Sequence, residues 1–367
     1  MASPEHKKTR TGDNLPSTAA TNRFSGRVAI VTGGASGIYP SHTTRYHCHI
    51  GRIAERSRSS CLLMLYNKSV YFELAHAQAS CCSGSLGCAA AVLSRAIISH
   101  ASYNLLCKTL MCTAGIGKAT VERLASEGAT VAIFDINKAA GEQVAAEFCS
   151  KSLDVKFFEV DVTSKQLCVE ATRQFVQMND GKLHFLVNCA VYFGSKGLTA
   201  EKKDWDKSFG VNVVGYSNMV QSCYEYMKGV PGDKSIVNLS SASGYTAQQN
   251  QWTYSSTKAA ILTMTKGMAL DLAKESIRVN SISPGWVWGP EVAKAAVGGR
   301  EKWEPIWGKY HMLRRFAECS EIASAVCFLL SADASFVTAT DLHVDGGYLS
   351  MGPEGLGENS SFAGSDY

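Results

Sequence analysis

From Arg27 onward the chain repeats one unit: a short run of apolar residues, then a segment with helical spacing. The runs are RVAIVTGG, TVAIFD, VKFFEVDV, LHFLVNCA, SIVNLSS, RVNSISPG and DLHVDGG. Between them lie segments such as GKATVERLASEGA, where Ala119, Val121, Leu124 and Ala125 share one helical face and Gly128 marks the end. A strand that is apolar on both sides has to be buried on both sides. The alternation therefore predicts an α/β protein with a doubly wound parallel sheet, covered by helices on each face. Such sheets bind ligands beyond the carboxyl ends of their strands, where the strand order reverses.

One stretch breaks the rhythm. After the first strand the chain reads VTGGASGIYP, and a third turn glycine is expected where Tyr39 stands. The pattern resumes only at Gly115, in AGIGKATVER. Residues 38–115 keep neither a helical nor an alternating period, contain no aspartate, and hold seven of the 13 cysteines. A patternless loop of that length is out of place inside a compact domain. Removing it joins Gly37 to Ile116 and restores VTGGASGIGKATVERLASEGA, so the segment is read as translated non-coding sequence, from an unspliced intron or a gene-model error. The expected organisation is a disordered tail at 1–23, a single domain at 24–350 interrupted by an irregular insertion at 38–115, and a Gly/Ser-rich tail at 351–367.

Composition narrows the function classes. A net charge of +4 over 367 residues gives no reason to expect nucleic acid or an acidic membrane surface as partner. No run of 18 or more apolar residues suggests a membrane span. The cysteines follow no regular spacing, which points to a reducing compartment, the cytoplasm, rather than a disulfide framework. His42, His47, Cys48 and His49 lie close together, but no second pair stands at ligand spacing, so no metal site is expected.

The chemistry is carried further along the chain. Tyr254 and Lys258, four residues apart, share one helix face. A tyrosine is a poor base at neutral pH unless an adjacent ammonium favours its phenolate. Ser241, thirteen residues upstream, ends the strand IVNLSS and brings a hydroxyl to the same end of the sheet. With TGGASG at the first turn, VDV at Asp161, NVVG at Asn212 and PGWV at Pro284, this order resembles the short-chain dehydrogenase/reductase family over residues 26–37 and 115–350, with a Rossmann-like fold.

The resemblance implies a role for each residue. Tyr254 would be the general acid/base, Ser241 would stabilise charge on the reacting oxygen, Lys258 would bind the nicotinamide ribose and lower the tyrosine pKa, and Asn212 would hold a water linking that lysine to solvent. Gly33, Ser36, Gly37, Ile116 and Gly117 would form the pyrophosphate turn, Asp161 and Val162 would flank adenine, and Asn188, Pro284 and Val287 would complete the cofactor site. Asp135 closes the second strand, where a carboxylate bonds a ribose 2′-hydroxyl and repels a 2′-phosphate, so NAD is favoured over NADP. Two motifs depart from the pattern: Asn188-Cys189-Ala190-Val191 replaces NNAG, and Gly289 stands where a threonine is common. Tyr192, Phe193, Trp252, Trp286 and Trp288 should rim a pocket for a small alcohol or ketone, with EKWEPIWGKYHMLRR as its lid. The family also suggests a homodimer or homotetramer through the helices holding Asn212 and Tyr254. The interrupted turn leaves an alternative, a member of the fold with impaired cofactor binding that serves as a non-catalytic binding or structural protein.

Overall fold

The computed structural model describes residues 22–33, 115–353 and 355–356. Ser36, Gly37, Tyr39, almost all of the insertion, the His42–His49 cluster and most of both tails lie outside the described residues.

Seven strands form one parallel sheet in the order β3-β2-β1-β4-β5-β6-β9. They are β1 (Val28–Thr32), β2 (Thr130–Asp135), β3 (Val155–Glu159), β4 (Phe185–Asn188), β5 (Lys234–Leu239), β6 (Ile277–Pro284) and β9 (Asp341–Val344). The pleat explains their sequences. Along β1, Ala29 and Val31 enter one core while Val28 and Ile30 enter the other, and in β2 Val131 and Ile133 oppose Ala132 and Phe134 in the same way. The first core is covered by α1 (Ile116–Ser126), α2 (Lys138–Ser150) and α9 (Cys319–Leu330). The second is covered by α3 (Lys165–Gln177), α5 (Gly215–Lys228) and α6 (Trp252–Leu272). The order reverses between β1 and β4, so the expected doubly wound α/β sheet has its crevice above Thr32 and Asn188.

Helix boundaries follow local chemistry. Asn137 and Ser164 cap α2 and α3 through their side chains, and capping boxes at Glu201/Asp204 and Glu318/Glu321 open α4 (Lys202–Phe209) and α9. Helix α1 ends before Gly128 (φ +95°), where a Cβ would lie 3.2 Å from the Ser25 backbone. The sequence from Trp205 to Met227 reads as one long helix, and the structure is helical throughout, with a π-helical turn at Gly210–Val214 between α4 and α5. Such a turn adds one residue to the helical circuit and displaces a side chain out of the normal register. Asn212, wholly buried, lies in this turn. After β6 come the short elements α7 (Pro290–Ala295), α8 (Arg300–Trp307) and the two-residue pair β7 (Val287–Trp288) and β8 (Ala317–Glu318), with α8 in the segment expected as a lid. Among the described residues, no helix is long and apolar enough to cross a membrane. The six cysteines among them are free thiols.

Candidate active site

The strand ends place the polar residues. Ser240 and Ser241 follow β5, and Ser241 caps a 3₁₀ turn by accepting the Ser243 N–H at 3.1 Å. That turn lies flat on α6: a Cβ on Gly244 would stand 3.0 Å from the backbone of Lys258 and Ala259. The Ser240 hydroxyl also donates to the Lys258 carbonyl at 2.8 Å. Backbone is thus pressed on backbone, and the Tyr254 and Ser241 side chains meet in a hydrogen bond.

Lys258, only 2% exposed, donates through Nζ to the Leu239 carbonyl at 2.7 Å, and the same carbonyl accepts the Tyr216 hydroxyl at 3.2 Å. The ammonium stands 5.7 Å from the centre of the Tyr254 ring. Burial pushes the Tyr254 phenol up to about 12, against the Ser241 hydrogen bond that pulls it down. Burial likewise pulls Lys258 down to about 8. An ammonium has three donors. With one on Leu239, two remain for a diol.

Asn212 acts as a staple. Its Oδ1 accepts the Tyr192 N–H at 2.7 Å, and its Nδ2 donates to the Tyr192 carbonyl at 3.1 Å and to Thr257 Oγ1 at 3.0 Å. Thr257 in turn donates to the Tyr254 carbonyl at 2.7 Å. The π turn therefore grips both the loop after β4 and the helix of Tyr254.

On the side where a nucleotide is expected, Gly33 has φ +66°, and a Cβ there would lie 2.7 Å from Ala190 Cα. Thr32 Oγ1 accepts the N–H groups of Cys189 and Ala190 at 3.0 and 3.2 Å, locking β1 to the loop after β4. Across the crevice, α1 begins at Gly115 and Ile116 with no side-chain cap and no acid in its first turn. The buried Gly117 presents its N–H to the Cys189 sulfur. The amides at a helix start without a side-chain cap suit an anion. Asp135, almost wholly buried at the end of β2, accepts the Asn137 N–H at 2.9 Å. Asp161 accepts from both the N–H and hydroxyl of Thr163, while the Val162 carbonyl accepts from Asn218. The residues present fit a dinucleotide: a glycine that admits close backbone approach, an uncapped helix start, a strand-end carboxylate and a buried ammonium.

Asn188 closes β4 and donates to Asn238 Oδ1 at 2.9 Å, while its own Oδ1, wholly buried, lacks a hydrogen-bond partner. Pro284 ends β6, and Val287 pairs with Ala317, fastening the PGWV segment to the start of α9. Gly289 caps α7, with room for a Cβ 3.6 Å from Cys319 Sγ. Of the aromatic rim, Trp286 packs against Trp307 with centroids 5.1 Å apart and Trp288 against Phe316 at 5.4 Å, both pairs tilted. Trp252 is half exposed, Tyr192 lies under the Lys207 ammonium, and Phe193 stacks on Tyr254. Asn238-Leu239-Ser240 matches a glycosylation sequon, but Asn238 is buried inside β5, where it donates to Thr265. The sequence did not single out Thr32, Ser240, Gly244 or Thr257. Each acts through a backbone contact with no distinctive spacing.

A family model described as enoyl-(acyl carrier protein) reductase matches residues 111–349. The 3-oxoacyl-(acyl-carrier-protein) reductase FabG of Thermotoga maritima is 34% identical over 244 residues, spanning 66% of this chain and 96% of that protein. Cyclopentanol dehydrogenase of Comamonas testosteroni is 33% identical, with 64% and 92% covered. Cyclohexanol dehydrogenase of Acinetobacter sp. (strain SE19) is also 33% identical, with 64% and 91% covered. The crystal structure of gox2181 aligns with a TM-score of 0.63 at 22% identity, covering 90% of this chain and 98% of that one, a likeness of fold.

Proposed function

The chain belongs to the short-chain dehydrogenase/reductase family of NAD(P)-dependent oxidoreductases, and on that premise we propose that it interconverts a secondary alcohol and its ketone with NAD, using Tyr254 as the acid/base. The observation that carries this is the assembly of Ser241, Tyr254 and Lys258 in one crevice, where the turn through Gly244 packs tightly on the helix of Tyr254. The names of the cyclopentanol and cyclohexanol dehydrogenases support an alcohol or ketone as the substrate class.

When bound, the nicotinamide supplies hydride chemistry at the carbinol carbon. The protein's part is to move the proton and hold the reactants. Tyr254 Oη takes the substrate hydroxyl proton in oxidation and returns it in reduction. Ser241 donates a hydrogen bond to the same oxygen as negative charge grows on it. Lys258 offers its remaining N–H groups to the ribose diol, and Asn212 keeps Tyr254 and the Tyr192 loop in register. In the form lacking 38–115, Gly33, Ser36, Gly37, Ile116 and Gly117 would hold the pyrophosphate. Asp161 and Val162 would border the adenine, and Asn188, Pro284 and Val287 would complete the nicotinamide end. Asp135 supports NAD over NADP, because a buried carboxylate there opposes a 2′-phosphate. Half-exposed Val214 and exposed Leu270, on the π turn and α6, support a homodimer or homotetramer through these helices, which sedimentation would test.

The insertion favours a second reading for the chain as it stands. β1 and α1 take their places in the sheet and its cover, yet residues 34–114 separate them in sequence. A pyrophosphate needs several amides of one continuous turn. The full chain is therefore expected to bind NAD weakly or not at all, and the chain lacking 38–115 to bind and turn it over. Calorimetry with NAD on both forms tests this: micromolar affinity of the full chain refutes the impairment. Tyr254→Phe in the shortened form should abolish turnover while NAD still binds, and full activity of that variant refutes the proposed acid/base. Messenger RNA that consistently encodes 38–115 would overturn the intron reading.

A further inference from the structure

Phe193 lies on the loop after β4, and its ring stacks on that of Tyr254, with centroids 5.5 Å apart and planes 25° from parallel. The loop is pinned on both sides of it. Asn212 grips both backbone groups of Tyr192, while Lys196 and Thr253 exchange bonds in both directions, N–H to Oγ1 at 3.0 Å and N–H to carbonyl at 3.2 Å. The Ser195 hydroxyl also bonds the Gln251 side chain. A Cβ on Gly194 would fall 2.1 Å from the Tyr192 ring, so a larger residue there would push that ring aside. Phe193 is nonetheless 42% exposed. One side of the ring covers the phenol and another is open.

We propose that Phe193 is a positioning and specificity-determining residue: it clamps the Tyr254 ring and offers its open side to the apolar body of a cyclic alcohol or ketone. The proposal rests on Tyr254 being the acid/base. Offset ring stacking restricts the tyrosine to one orientation against Ser241 and keeps water from one face of the phenol, which favours its neutral form. A substrate whose carbinol carbon is part of a ring lays an apolar surface beside the reacting oxygen, where Phe193 meets it. A small open-chain alcohol presents little surface there and gains little.

The test uses Phe193→Ala and Phe193→Leu in the form lacking 38–115, with cyclohexanol and 2-butanol as probes. Tyrosine labelled with ¹³C at Cζ reports the Tyr254 ionisation directly, its signal assigned by its loss in Tyr254→Phe. In Phe193→Ala, the Tyr254 ionisation constant should rise about tenfold. The preference in kcat/KM for cyclohexanol over 2-butanol should fall by up to about tenfold, and Phe193→Leu should restore part of the preference. Should the alanine variant fail to fold, the leucine variant carries both readouts, since it removes the stack and keeps the apolar volume. An unchanged Tyr254 titration overturns the clamp, and an unchanged substrate ratio overturns the specificity role. If neither alcohol is turned over but the titration moves, the assigned reaction is wrong and the clamp stands.

Discussion

Replacing Lys258 by methionine should remove activity and, at neutral pH, relieve the fold of a charge it holds at a cost. The side chain is 2% exposed, and burial brings its pKa from the ordinary 10.5 to about 8. A shift of that size corresponds to about 3 kcal/mol against the charged form. The sign follows from proton binding. Between the folded and unfolded values the unfolded chain binds more protons, so the wild type gains stability as pH rises through this window. The lost hydrogen bond to Leu239 opposes the gain by about 1.5–3 kcal/mol, although that carbonyl keeps the Tyr216 hydroxyl at 3.2 Å. The net change at neutral pH is therefore small, and the pH dependence carries the prediction. From about pH 7 to about pH 9.5 the stability of the variant relative to wild type should decline by about 2 kcal/mol, because the wild-type lysine sheds its charge. Urea unfolding of both proteins at the two pH values, with NAD-dependent turnover followed in parallel, makes the comparison. A stability difference that does not change with pH would refute the buried-ammonium account. Retained turnover would refute the role given to Lys258.

His184, buried at the base of β4, accepts the Val28 N–H at 3.2 Å and is pushed down to about 4 by burial, with Arg27 and Lys182 adding to the effect. It folds neutral, so its contribution is present above the ordinary 6.5 and is lost as pH falls toward 4, about 3 kcal/mol in all. His184→Gln should flatten that acid limb in denaturation curves, and an unaltered slope would count against it. Gly33→Ala sets a side chain at φ +66° and 2.7 Å from Ala190 Cα, so a loss of about 2 kcal/mol or more and weaker NAD binding are expected. A Tm within error of wild type would contradict this. Asp135→Asn should narrow the preference for NAD over NADP, read as the ratio of kcat/KM values. An unchanged ratio would show that another group sets it.

The sheet was legible in the chain because a strand buried on both faces must be apolar at every position, and β1, β2 and β4 advertise this without help from distant residues. Tyr254 and Lys258 were legible for a similar reason, since four residues on a helix fix two side chains to one face. Ser241 and Asn212 were legible only as members of a motif. Their distance from Tyr254 depends on how a strand end, a 3₁₀ turn and a π turn lie against one helix. The π turn has no periodic signal, and the sequence reads there as unbroken helix. Yet it delivers Asn212 to Tyr192 and Thr257. Packing also decided the fate of the aromatic residues: Trp286 and Trp288 pack against Trp307 and Phe316, whereas Phe193 faces Tyr254. Periodicity and turn chemistry are local and can be read one segment at a time. Contacts between segments far apart in the chain exist only once the sheet has set their positions, and those contacts hold the candidate site together.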